Sequence, residues 1–544
     1  MSYRQTALAW LAQDPDPETR AELSALLSAG DETALEERFG AKLEFGTAGL
    51  RGELGAGPNR MNRVTVMRAA AGLAHVLGAG ASLVIGYDAR HGSARFAADT
   101  AAVATGAGLA ASLLPAPLPT PVLAHAVRHL GADAGVMVTA SHNPPRDNGY
   151  KVYWGDGAQI VPPLDARISA AIDAVGRVDE LPLGSGWTVL GDEIVAAYLD
   201  ALSGLPLGRD RDISIAYTPL HGVGRDVLLR AFAAGFPPPA VVPEQAAPDP
   251  DFPTVAFPNP EEPGAMDLAL ALGATAGADL VLANDPDADR CAVGVPLPGG
   301  GWRLLTGDEV GCLLAEHVLA RTHGPDRLVV TTIVSSTQLR AIAAHHDVRF
   351  AESLTGFKWI MKAGSAADRL VYGYEEALGY SVGGDGGLPV HDKDGIGAAL
   401  TIAALAATAK RAGRTLLDLL DDQARRDGLH ATAQVSFRVA DRALITGALT
   451  RLRTTAPKTL GGRDVMAIDD LSLGADGLPP TEGLRLRLAG NARVVIRPSG
   501  TEPKLKCYLE AITPVTGQVE AARSSAAASL AALRTDLTGA LDLS

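Results

Sequence analysis

Residues 278–285 read ADLVLAND, a short apolar run that ends abruptly in polar side chains. Three other stretches follow the same plan, namely SLVIGYD at 82–88, DISIAYT at 212–218 and RLVVTTIVSS at 327–336. Ala-rich helical stretches lie between them, for example near residues 96–111 and 227–234. This alternation predicts α/β domains with mixed, largely parallel sheets, and the ligands of such sheets gather beyond the C-terminal ends of the strands.

The length of 544 residues is several times the usual domain size and predicts three or four domains. Pro/Gly-rich connections at 181–186 and 297–301 indicate domain boundaries, and a predicted helix ends near residue 428. The chain beyond that helix is rich in predicted strands and does not show the alternation of strands and helices seen before it, which indicates a smaller α+β domain. The predicted domains are three loosely similar α/β domains and one C-terminal α+β domain, at 1–185, 186–300, 301–428 and 429–544.

The composition argues against several kinds of partner and site. Lys and Arg total 48 against 62 Asp and Glu, so the net charge of -14 gives no long-range attraction to nucleic acid or an anionic membrane. We therefore expect neither as a partner. The three cysteines, Cys291, Cys312 and Cys507, lie far apart without metal-ligand spacing, which predicts reduced thiols in a cytosolic protein, with no disulfide and no zinc site.

Two stretches bear on targeting and membrane insertion. The N-terminal stretch has no basic segment followed by an apolar core, so it does not resemble a secretory signal, and we expect a cytoplasmic protein. The longest uncharged stretch, 101–127, has prolines throughout its second half, and its first half is too short to cross a bilayer. It predicts a buried helix followed by an extended loop.

The stretch VTASHNPPRDNGYKV, residues 138–152, places a serine and a histidine side by side before an Asn-Pro-Pro turn. The apolar residues 135–138 lead into Thr139, Ala140 and Ser141, which is typical of a buried strand that ends in a polar turn. Ser141 is therefore predicted to lie at the tip of a strand.

A cluster of carboxylates follows the strand at 278–285. Asp285, Asp287 and Asp289 would repel one another, and a hard divalent cation that accepts oxygen ligands, Mg²⁺ above all, would relieve this repulsion. A calcium loop needs a glycine at its sixth position and a glutamate at its twelfth, but these positions hold Arg290 and Pro296. A solvated acidic turn is the alternative, although Arg290 also offers a bidentate fork for a phosphate.

A third polar loop reads RPSGTEPKLK and follows the strand ARVVI. A glycine frees backbone N–H groups for an anion, two hydroxyls add donors and an arginine adds charge, so the loop suits a phosphate. The residues concerned are Arg497, Ser499, Gly500 and Thr501. The loop lacks the Walker pattern, and an ordinary Arg-Pro-Ser-Gly turn is the alternative.

Taken together, these loops resemble those of the α-D-phosphohexomutase superfamily, which includes phosphoglucomutases and phosphomannomutases. The matching motifs occur in order over nearly the whole chain: EFGTAGLRG (44–52), TASHNPPRDNGYK (139–151), NDPDADR (284–290), TGFKWI (355–360), GYEEALGY (373–380) with HDKDG (391–395), and RPSGTEPK (497–504). The chain length and the motif sequences GTAGLRG and EEALGY most resemble those of the long-chain branch of bacterial phosphoglucomutases and related phosphopentomutases.

The resemblance implies three α/β domains and a C-terminal domain around a deep central cleft, and an enzyme-bound phosphoserine that interconverts sugar 1-phosphate and 6-phosphate. Ser141 matches the phosphoserine. The three aspartates match the ligands of one Mg²⁺ per chain, with an oxygen of phosphorylated Ser141 completing the site. Arg51 and Arg290 match positions near the transferring phosphoryl group, where fixed positive charge is useful.

Other residues of the motifs receive roles on the same basis. Lys151, Lys393 and His142 are the candidate acid/base or charge-stabilising groups, with surface lysines and a turn histidine as the alternatives. Glu375 matches a residue that binds sugar hydroxyls, although the serine usual two positions later is Ala377 here. Thr355 and Gly356 resemble a second sugar-facing loop, with an ordinary helix entry as the alternative.

The expected reaction is the interconversion of glucose 1-phosphate and glucose 6-phosphate, with glucose 1,6-bisphosphate as activator. Pentose and mannose phosphates, in this order, are the alternatives within the superfamily. From other classes, a metal-dependent sugar phosphatase differs only in using water as acceptor, and a non-catalytic sugar-phosphate binding protein would not need Ser141 and all three aspartates. The expected partner is a small-molecule sugar phosphate, and the protein is expected to be a monomer or a homodimer.

Overall fold

The computed structural model describes residues 2–439, 441–499 and 504–543. The chain divides into two units. Unit 1 comprises Met1–Leu305 and Gly379–Thr408, and unit 2 comprises Thr306–Leu378 and Ala409–Ser544. Among the described residues, every helix is either too short or too polar to traverse a bilayer. The four predicted domain ranges stay predictions.

Unit 1 begins with three short helices, α1 (Tyr3–Leu11), α2 (Pro17–Ala29) and α3 (Glu32–Phe39). A side-chain oxygen caps the N-terminus of each helix, and the capping residues are Ser2, Asp16 and Asp31. Their apolar sides pack together with the next segment of the chain in one buried cluster. The helices therefore pack as a small layer against the part of unit 1 that follows them.

The first α/β segment contains a six-stranded sheet. Its strands are β1 (Leu50–Glu53), β2 (Ser82–Tyr87), β3 (Ala110–Leu113), β4 (Ala134–Val138), β5 (Asp147–Trp154) and β6 (Thr188–Val189). Its helices are α4 (Arg63–Leu77), α5 (Ser93–Gly106), α6 (Thr120–His129), α7 (Leu164–Asp173) and α8 (Glu193–Leu202). The order is β1-β5-β4-β2-β3-β6, in which β4, β2, β3 and β6 run parallel and β5 is antiparallel to both of its neighbours, β4 and β1.

Burial on both faces explains the continuous apolar runs of the central strands. All five residues of β4 are buried, because helices cover both faces of a largely parallel sheet. The helix predicted over 96–111 is too long at its C-terminal end. Gly108, with φ 85°, turns the chain after α5, and residues 110–113 pair with β2 instead.

The second α/β segment contains a five-stranded sheet. Its elements are β7 (Ile215–Thr218), α9 (Gly224–Phe232), β8 (Ala240–Val241), α10 (Asp267–Ala276), β9 (Leu280–Ala283), β10 (Ala292–Pro296) and β11 (Trp302–Leu304). The order is β11-β10-β9-β7-β8, with β8, β7 and β9 parallel. Residues 297–301 are the turn of the antiparallel β10–β11 hairpin. The prediction that this stretch marks a domain boundary stays a prediction, because Pro/Gly-rich sequence suits a hairpin turn as well as a linker.

Residues 306–378 belong to unit 2. They form α11 (Gly307–Leu319), β12 (Arg327–Thr332), α12 (Gln338–His345), β13 (Arg349–Ser353), α13 (Phe357–Met361) and β14 (Arg369–Glu375). Strand β12 pairs in parallel with both β13 and β14. The chain then returns to unit 1 with β15 (Gly379–Val382) and with most of α14 (Gly395–Arg411).

The remainder of unit 2 is an α+β layer structure. Its elements are α15 (Leu416–Asp427), β16 (Leu429–Arg438), α16 (Arg442–Thr454), β17 (Thr459–Leu460), β18 (Arg463–Asp470), β19 (Leu484–Leu488), β20 (Arg493–Pro498), β21 (Lys504–Thr513) and α17 (Val519–Leu541). The sheet is antiparallel in the order β16-β21-β20-β19-β18-β17, and α16 and α17 cover one face. The predicted fold class, α/β domains followed by an α+β domain, is confirmed.

Candidate active site

Ser141 lies three residues beyond the end of β4, at the strand tip where the sequence predicts it. Its backbone adopts a left-handed conformation with φ 51°, and its side chain is buried. The Ser141 N–H donates to Thr139 Oγ1 at 2.8 Å, which fixes the turn. The Ser141 hydroxyl donates to Asp285 Oδ2 at 2.6 Å, so the first and second predicted loops meet in unit 1.

His142 lies beside the serine hydroxyl. The distance from His142 Nδ1 to Ser141 Oγ is 3.2 Å. Burial, together with the positive charges of Arg290 and Arg51, holds the pKa of His142 well below its usual value. The imidazole is therefore neutral near pH 7.

The three aspartates follow β9 directly and form one compact cluster. Oxygens from all three carboxylates lie within 4.8 Å of one another. Asp285, Asp287 and Asp289 each have a relative exposure of 0%, which excludes the solvated acidic turn. Ala288, with φ 55°, turns the chain within the loop so that alternate side chains converge.

Two lysines neutralise part of this charge. Lys151 Nζ donates to Asp287 Oδ2 at 2.8 Å and to Asp289 Oδ2 at 3.0 Å, while Lys393 Nζ lies 3.1 Å from Asp289 Oδ2. Lys151 is 4% exposed, so the surface-lysine alternative is wrong for it. Burial acts to lower the pKa of Lys151, but Asp287 and Asp289 outweigh it and raise that pKa.

The pKa values of the carboxylates shift in different directions. Burial, Asp289 and Asp287 raise the pKa of Asp285 well above its usual value. Burial has the same tendency at Asp287, but the ammonium of Lys151 reverses it and lowers the pKa of Asp287. The lysines thus satisfy one end of the cluster, and Asp285, at the serine end, gains most from a further cation.

The cluster fits a hard divalent cation. Asp287 Oδ1 and Asp289 Oδ1 are buried and have no hydrogen-bond partner among the described residues. Orphaned carboxylate oxygens in a buried site are costly unless an ion or a donor satisfies them. An all-oxygen donor set of carboxylates is the kind that Mg²⁺ prefers. Asp285, Asp287 and Asp289 would hold the ion.

The two predicted arginines lie around the same cluster. Arg51, on β1, donates through Nη1 to Asn143 Oδ1 at 3.1 Å. The Arg290 N–H donates to Asp285 Oδ1 at 3.0 Å, and Arg290 Nε lies 3.9 Å from Asp289 Oδ1. Burial lowers the pKa of Arg51 against the opposing effect of Asp287, yet a guanidinium remains charged at neutral pH. Both side chains supply fixed positive charge beside Ser141.

The loop that carries Lys393 is anchored on both sides of the lysine. Asp392 Oδ2 accepts hydrogen bonds from the Tyr153 hydroxyl at 2.7 Å and from Gln159 Nε2 at 2.9 Å. Asp394 Oδ1 accepts a hydrogen bond from the Tyr198 hydroxyl at 2.7 Å. This anchoring explains how the HDKDG segment, remote in sequence, places Lys393 at the cluster.

Sequence reasoning missed residues that hold the aspartates in place. The Thr120 hydroxyl donates to Asp287 Oδ2 at 2.7 Å, and its N–H donates to the Asp287 carbonyl at 2.9 Å. Asn284 Nδ2 donates to the Arg290 carbonyl at 2.6 Å and so closes the loop. Asn284 could have been suspected from its position before Asp285. Thr120 could not, because it starts α6 in a proline-rich stretch that indicates only a loop.

The predicted sugar and phosphate loops lie in unit 2. The Gly356 N–H donates to Glu375 Oε1 at 2.7 Å, so the Thr355-Gly356 loop and Glu375 are in contact. Arg497 is the penultimate residue of β20 and forms a hydrogen bond with Tyr508. The Ser499 N–H donates to the Lys504 carbonyl at 2.7 Å.

The phosphate-loop prediction includes two further residues, Gly500 and Thr501, which lie outside the described residues. Burial, with the neighbouring charge of Glu376, raises the pKa of the Tyr508 phenol, while Arg497 acts to lower it. Tyr508 therefore lies near both Glu376 and Arg497 within unit 2.

Comparison with known proteins agrees with this fold and site. Family models match at residues 42–178, 196–298, 306–435 and 449–523, and they describe phosphoglucomutase/phosphomannomutase alpha/beta/alpha domains I, II and III and its C-terminal domain. The fold and the site together define an enzyme of the α-D-phosphohexomutase superfamily. Within it, the chain belongs to the phosphoglucomutase/phosphomannomutase family.

Relatives of the chain bear names that refer to different sugars. A probable phosphomannomutase of Haemophilus influenzae is 45% identical over 461 residues, which covers 83% of this chain and 93% of that protein. A phosphopentomutase of Mus musculus is 35% identical over 564 residues, which covers 94% of this chain and 90% of that protein. The crystal structure of a putative phosphomannomutase from Thermus thermophilus matches with a TM-score of 0.70 at 26% identity, covering 92% of this chain and 99% of that chain.

Proposed function

We propose that the protein interconverts α-D-glucose 1-phosphate and glucose 6-phosphate through a phosphorylated Ser141 and a bisphosphorylated sugar. The observation that carries the proposal is the hydrogen bond of 2.6 Å from the Ser141 hydroxyl to Asp285 Oδ2, inside a buried cluster of three carboxylates. A buried serine at a cation site fits a nucleophile that accepts and returns a phosphoryl group.

The reaction consists of two transfers in opposite directions. In the first, a sugar hydroxyl oxygen forms a bond to the phosphorus on Ser141, the bond from phosphorus to Oγ breaks, and the hydroxyl proton ends on Oγ. In the second, Oγ forms a bond to the phosphorus of the other phosphate, the bond from that phosphorus to the sugar oxygen breaks, and the proton of Oγ ends on the sugar oxygen. A bound Mg²⁺ would supply Lewis-acid stabilisation of the charge on the transferring group.

The surrounding side chains suit the remaining tasks. His142 Nδ1, 3.2 Å from Oγ, is placed to hold the proton, with Lys151 and Lys393 as further candidates. Arg51 and Arg290 would stabilise charge on the phosphoryl group. In unit 2, Thr355, Gly356 and Glu375 would bind sugar hydroxyls, and Arg497 with Ser499, Gly500 and Thr501 would hold the phosphate that is not reacting.

Incubation with glucose 1-phosphate and a trace of glucose 1,6-bisphosphate tests the proposal. A mutase yields glucose 6-phosphate without free phosphate, and its rate depends on the bisphosphate. Release of inorganic phosphate at the rate of substrate loss would identify a phosphatase instead. An unchanged substrate, with binding detectable by calorimetry, would identify a binding protein.

A pentose phosphate is the second candidate substrate. It is favoured by the likeness to the mouse phosphopentomutase over 94% of this chain and by Ala377, which stands where the superfamily motif has a serine hydroxyl near the sugar. Values of kcat/KM for the 1-phosphates of glucose, ribose and mannose, each with its own bisphosphate, separate the candidates. We expect glucose first, then ribose, then mannose, and a higher value for ribose or mannose would reassign the substrate.

A further inference from the structure

One arginine outside the sequence motifs lies directly beneath the Ser141 loop. Arg90 follows β2, and its side chain is 1% exposed. Its guanidinium donates to the backbone carbonyls of Ser141 at 2.7 Å, Asn143 at 2.5 Å, Pro144 at 2.8 Å and Asp147 at 3.1 Å. A guanidinium fork usually pairs with a carboxylate or phosphate, but here it gathers four carbonyls of a single loop.

The loop needs such support because of its backbone conformation. A residue other than glycine in the left-handed region costs on the order of 1–3 kcal/mol and persists only where its surroundings enforce it. Ser141, with φ 51°, is such a residue. The carbonyls that Arg90 collects begin at Ser141 itself, so the contact acts on the strained position directly.

The guanidinium is itself held from two sides. On one side, Asp88 Oδ2 lies 3.5 Å from Arg90 Nε, and Asp88 Oδ1 accepts a hydrogen bond from the Arg90 backbone N–H at 3.0 Å. On the other side, the ring of Phe252 lies 4.9 Å from the guanidinium carbon and is 2% exposed. Phe252 belongs to the second α/β segment, which also carries Asp285. The arginine therefore contacts both the loop of Ser141 and the segment that bears the carboxylates.

We propose that Arg90, with Phe252 covering its guanidinium, is a positioning residue that holds Ser141 Oγ at the carboxylate cluster. The proposal rests on the proposed function, in which Ser141 carries the phosphoryl group. A displacement of about 1 Å in a reacting group costs on the order of a hundred-fold in rate. Since Arg90 has almost no surface open to a substrate, its loss affects kcat and leaves KM nearly unchanged.

The first test is Arg90→Lys in the full-length protein. A lysine keeps the charge, but its compact ammonium has three donors and lacks the planar fork that gathers four carbonyls. We expect kcat to fall about ten- to a hundred-fold, with KM within about two-fold of wild type. Arg63→Lys is the matched control, because Arg63 forms a bidentate pair with Asp99 in the same unit, with both bonds at 2.7 Å. Its kcat is expected to stay near the wild-type value.

Amide hydrogen exchange provides a readout that does not depend on activity. In Arg90→Lys, peptides that cover residues 139–149 should exchange faster than in wild type, while peptides of α4 and α5 should exchange as in wild type, and the unfolding temperature should be close to that of Arg63→Lys. A kcat and a loop exchange both equal to wild type would overturn the proposal. A lower kcat with unchanged loop exchange would overturn it too, because Arg90 would then act on the chemistry without holding the loop.

If Arg90→Lys does not fold, Phe252→Leu replaces it. Leucine retains apolar volume but removes the ring over the guanidinium, so the same loop should exchange faster and kcat should fall several-fold at unchanged KM. Wild-type values for both would overturn the proposal. A wild-type protein that converts no sugar phosphate would refute the proposed function by itself, and the exchange comparison would still decide whether Arg90 holds the loop.

Discussion

Three carboxylates and three cationic side chains meet at the end of β9. Asp285, Asp287 and Asp289 face Lys151, Lys393 and Arg290 over distances of 2.8 to 3.9 Å. Formal charges of the six side chains therefore cancel, which lowers the cost of burying them. A divalent cation together with a phosphoserine near two negative charges would leave this balance unchanged. The site is thus suited to hold a divalent cation and a phosphoserine at the same time.

Ser141→Ala should abolish mutase turnover while the fold and the binding of sugar phosphate stay intact. The substitution removes the nucleophile but little packing, and alanine pays a similar cost at φ 51°. Intact mass of the wild type should show a phosphate-sized adduct that maps to Ser141 and is missing from the variant. An active wild type that carries its phosphate on another residue would contradict the assignment.

Asp287→Asn should reduce activity sharply and weaken the dependence on Mg²⁺. The change removes a charged oxygen ligand and the partner of Lys151 at 2.8 Å, so Mg²⁺ affinity should fall by at least about ten-fold. Thermal unfolding against Mg²⁺ concentration measures this without turnover, since a bound ion raises the midpoint. Chelation by EDTA should inactivate the wild type reversibly, and full activity in the chelator would refute the metal role.

Helix α14 packs closely against the loop that carries Asp285, Asp287 and Asp289, and the contact is made by a glycine. The Gly395 N–H donates to the Ala288 carbonyl at 3.2 Å. A Cβ at this position would lie 2.2 Å from the Arg290 carbonyl oxygen and 2.7 Å from Asn284 Nδ2. Only glycine allows the helix to approach so closely, and Lys393 lies two residues before it.

Gly395→Ala should therefore push α14 away from the loop. We expect a loss of about 1–3 kcal/mol in the free energy of unfolding and a lower kcat, because Lys393 moves with the helix. Gly176→Ala is the control, since no heavy atom lies within 4 Å of its added Cβ. Chemical denaturation and initial rates measure both effects. Equal stability and kcat in the two variants would show that α14 does not determine the position of the loop that carries the aspartates.

A buried ion network in unit 2 connects the end of β12 with the C-terminal sheet. Glu510, on β21, accepts hydrogen bonds from Arg493 Nε at 2.8 Å, from the Thr337 N–H at 2.8 Å and from the Ser336 hydroxyl at 2.9 Å. Its carboxylate lies 3.1 Å from His430 Nδ1. Burial would raise the pKa of Glu510, but Arg493 and His430 outweigh it and lower that pKa from 4.5 to about 2.

This shift predicts a stabilisation that depends on pH. Because the pKa in the folded state lies below the unfolded value of 4.5, the stabilisation is complete above pH 4.5 and is lost as the pH falls toward about 2. It corresponds to about 3 kcal/mol, so Glu510→Gln should lose about this much at pH 7. Denaturation curves from pH 7 to pH 3 should show the difference from wild type shrinking at the acid end.

Glu520→Gln is the control for the network. Its side chain is 79% exposed and lies 3.4 Å from Arg523, a surface pair of little expected value. A difference between wild type and Glu510→Gln that stays constant with pH would refute the assignment of the low pKa to Glu510.

The proposed functional residues are distributed over both units of the molecule. Ser141 and the carboxylates belong to unit 1, and Arg497 belongs to unit 2. Arg497→Ala should lower kcat/KM about ten- to a hundred-fold, because a charge-assisted hydrogen bond to phosphate contributes about 1.5–3 kcal/mol. The variant should also release more of the bisphosphorylated sugar and require more added bisphosphate for activity.

Activity against glucose 1,6-bisphosphate concentration measures this effect. Arg534→Ala, an exposed arginine on α17, serves as the control and should match wild type. Curves for Arg497→Ala that superimpose on those of wild type would mean that Arg497 belongs to an ordinary turn.

The sequence predicts much of unit 1 because its strands are short apolar runs with polar ends. The runs at 82–88 and 278–285 contain β2 and β9, and the loops after β4 and β9 bring Ser141 to Asp285 as expected. Arg90 and Thr120 could not be found in this way. Each acts on the backbone or side chains of a distant loop, and no local pattern records such contacts. The placement of Gly379–Thr408 in unit 1 depends on long-range contacts in the same way.

The burial of all three cysteines has a practical consequence for spectroscopy. Cys291, Cys312 and Cys507 are free thiols with a relative exposure of 0%. Burial raises the pKa of Cys507 to about 12, and those of the other two also rise, so the reactive thiolate is scarce and out of reach of reagents. Cysteines introduced at the exposed Ser24 and Ser525 would then be the only thiols to react with maleimide probes. The folded protein would carry one fluorescence donor and one acceptor, one in each unit, without removal of any natural thiol.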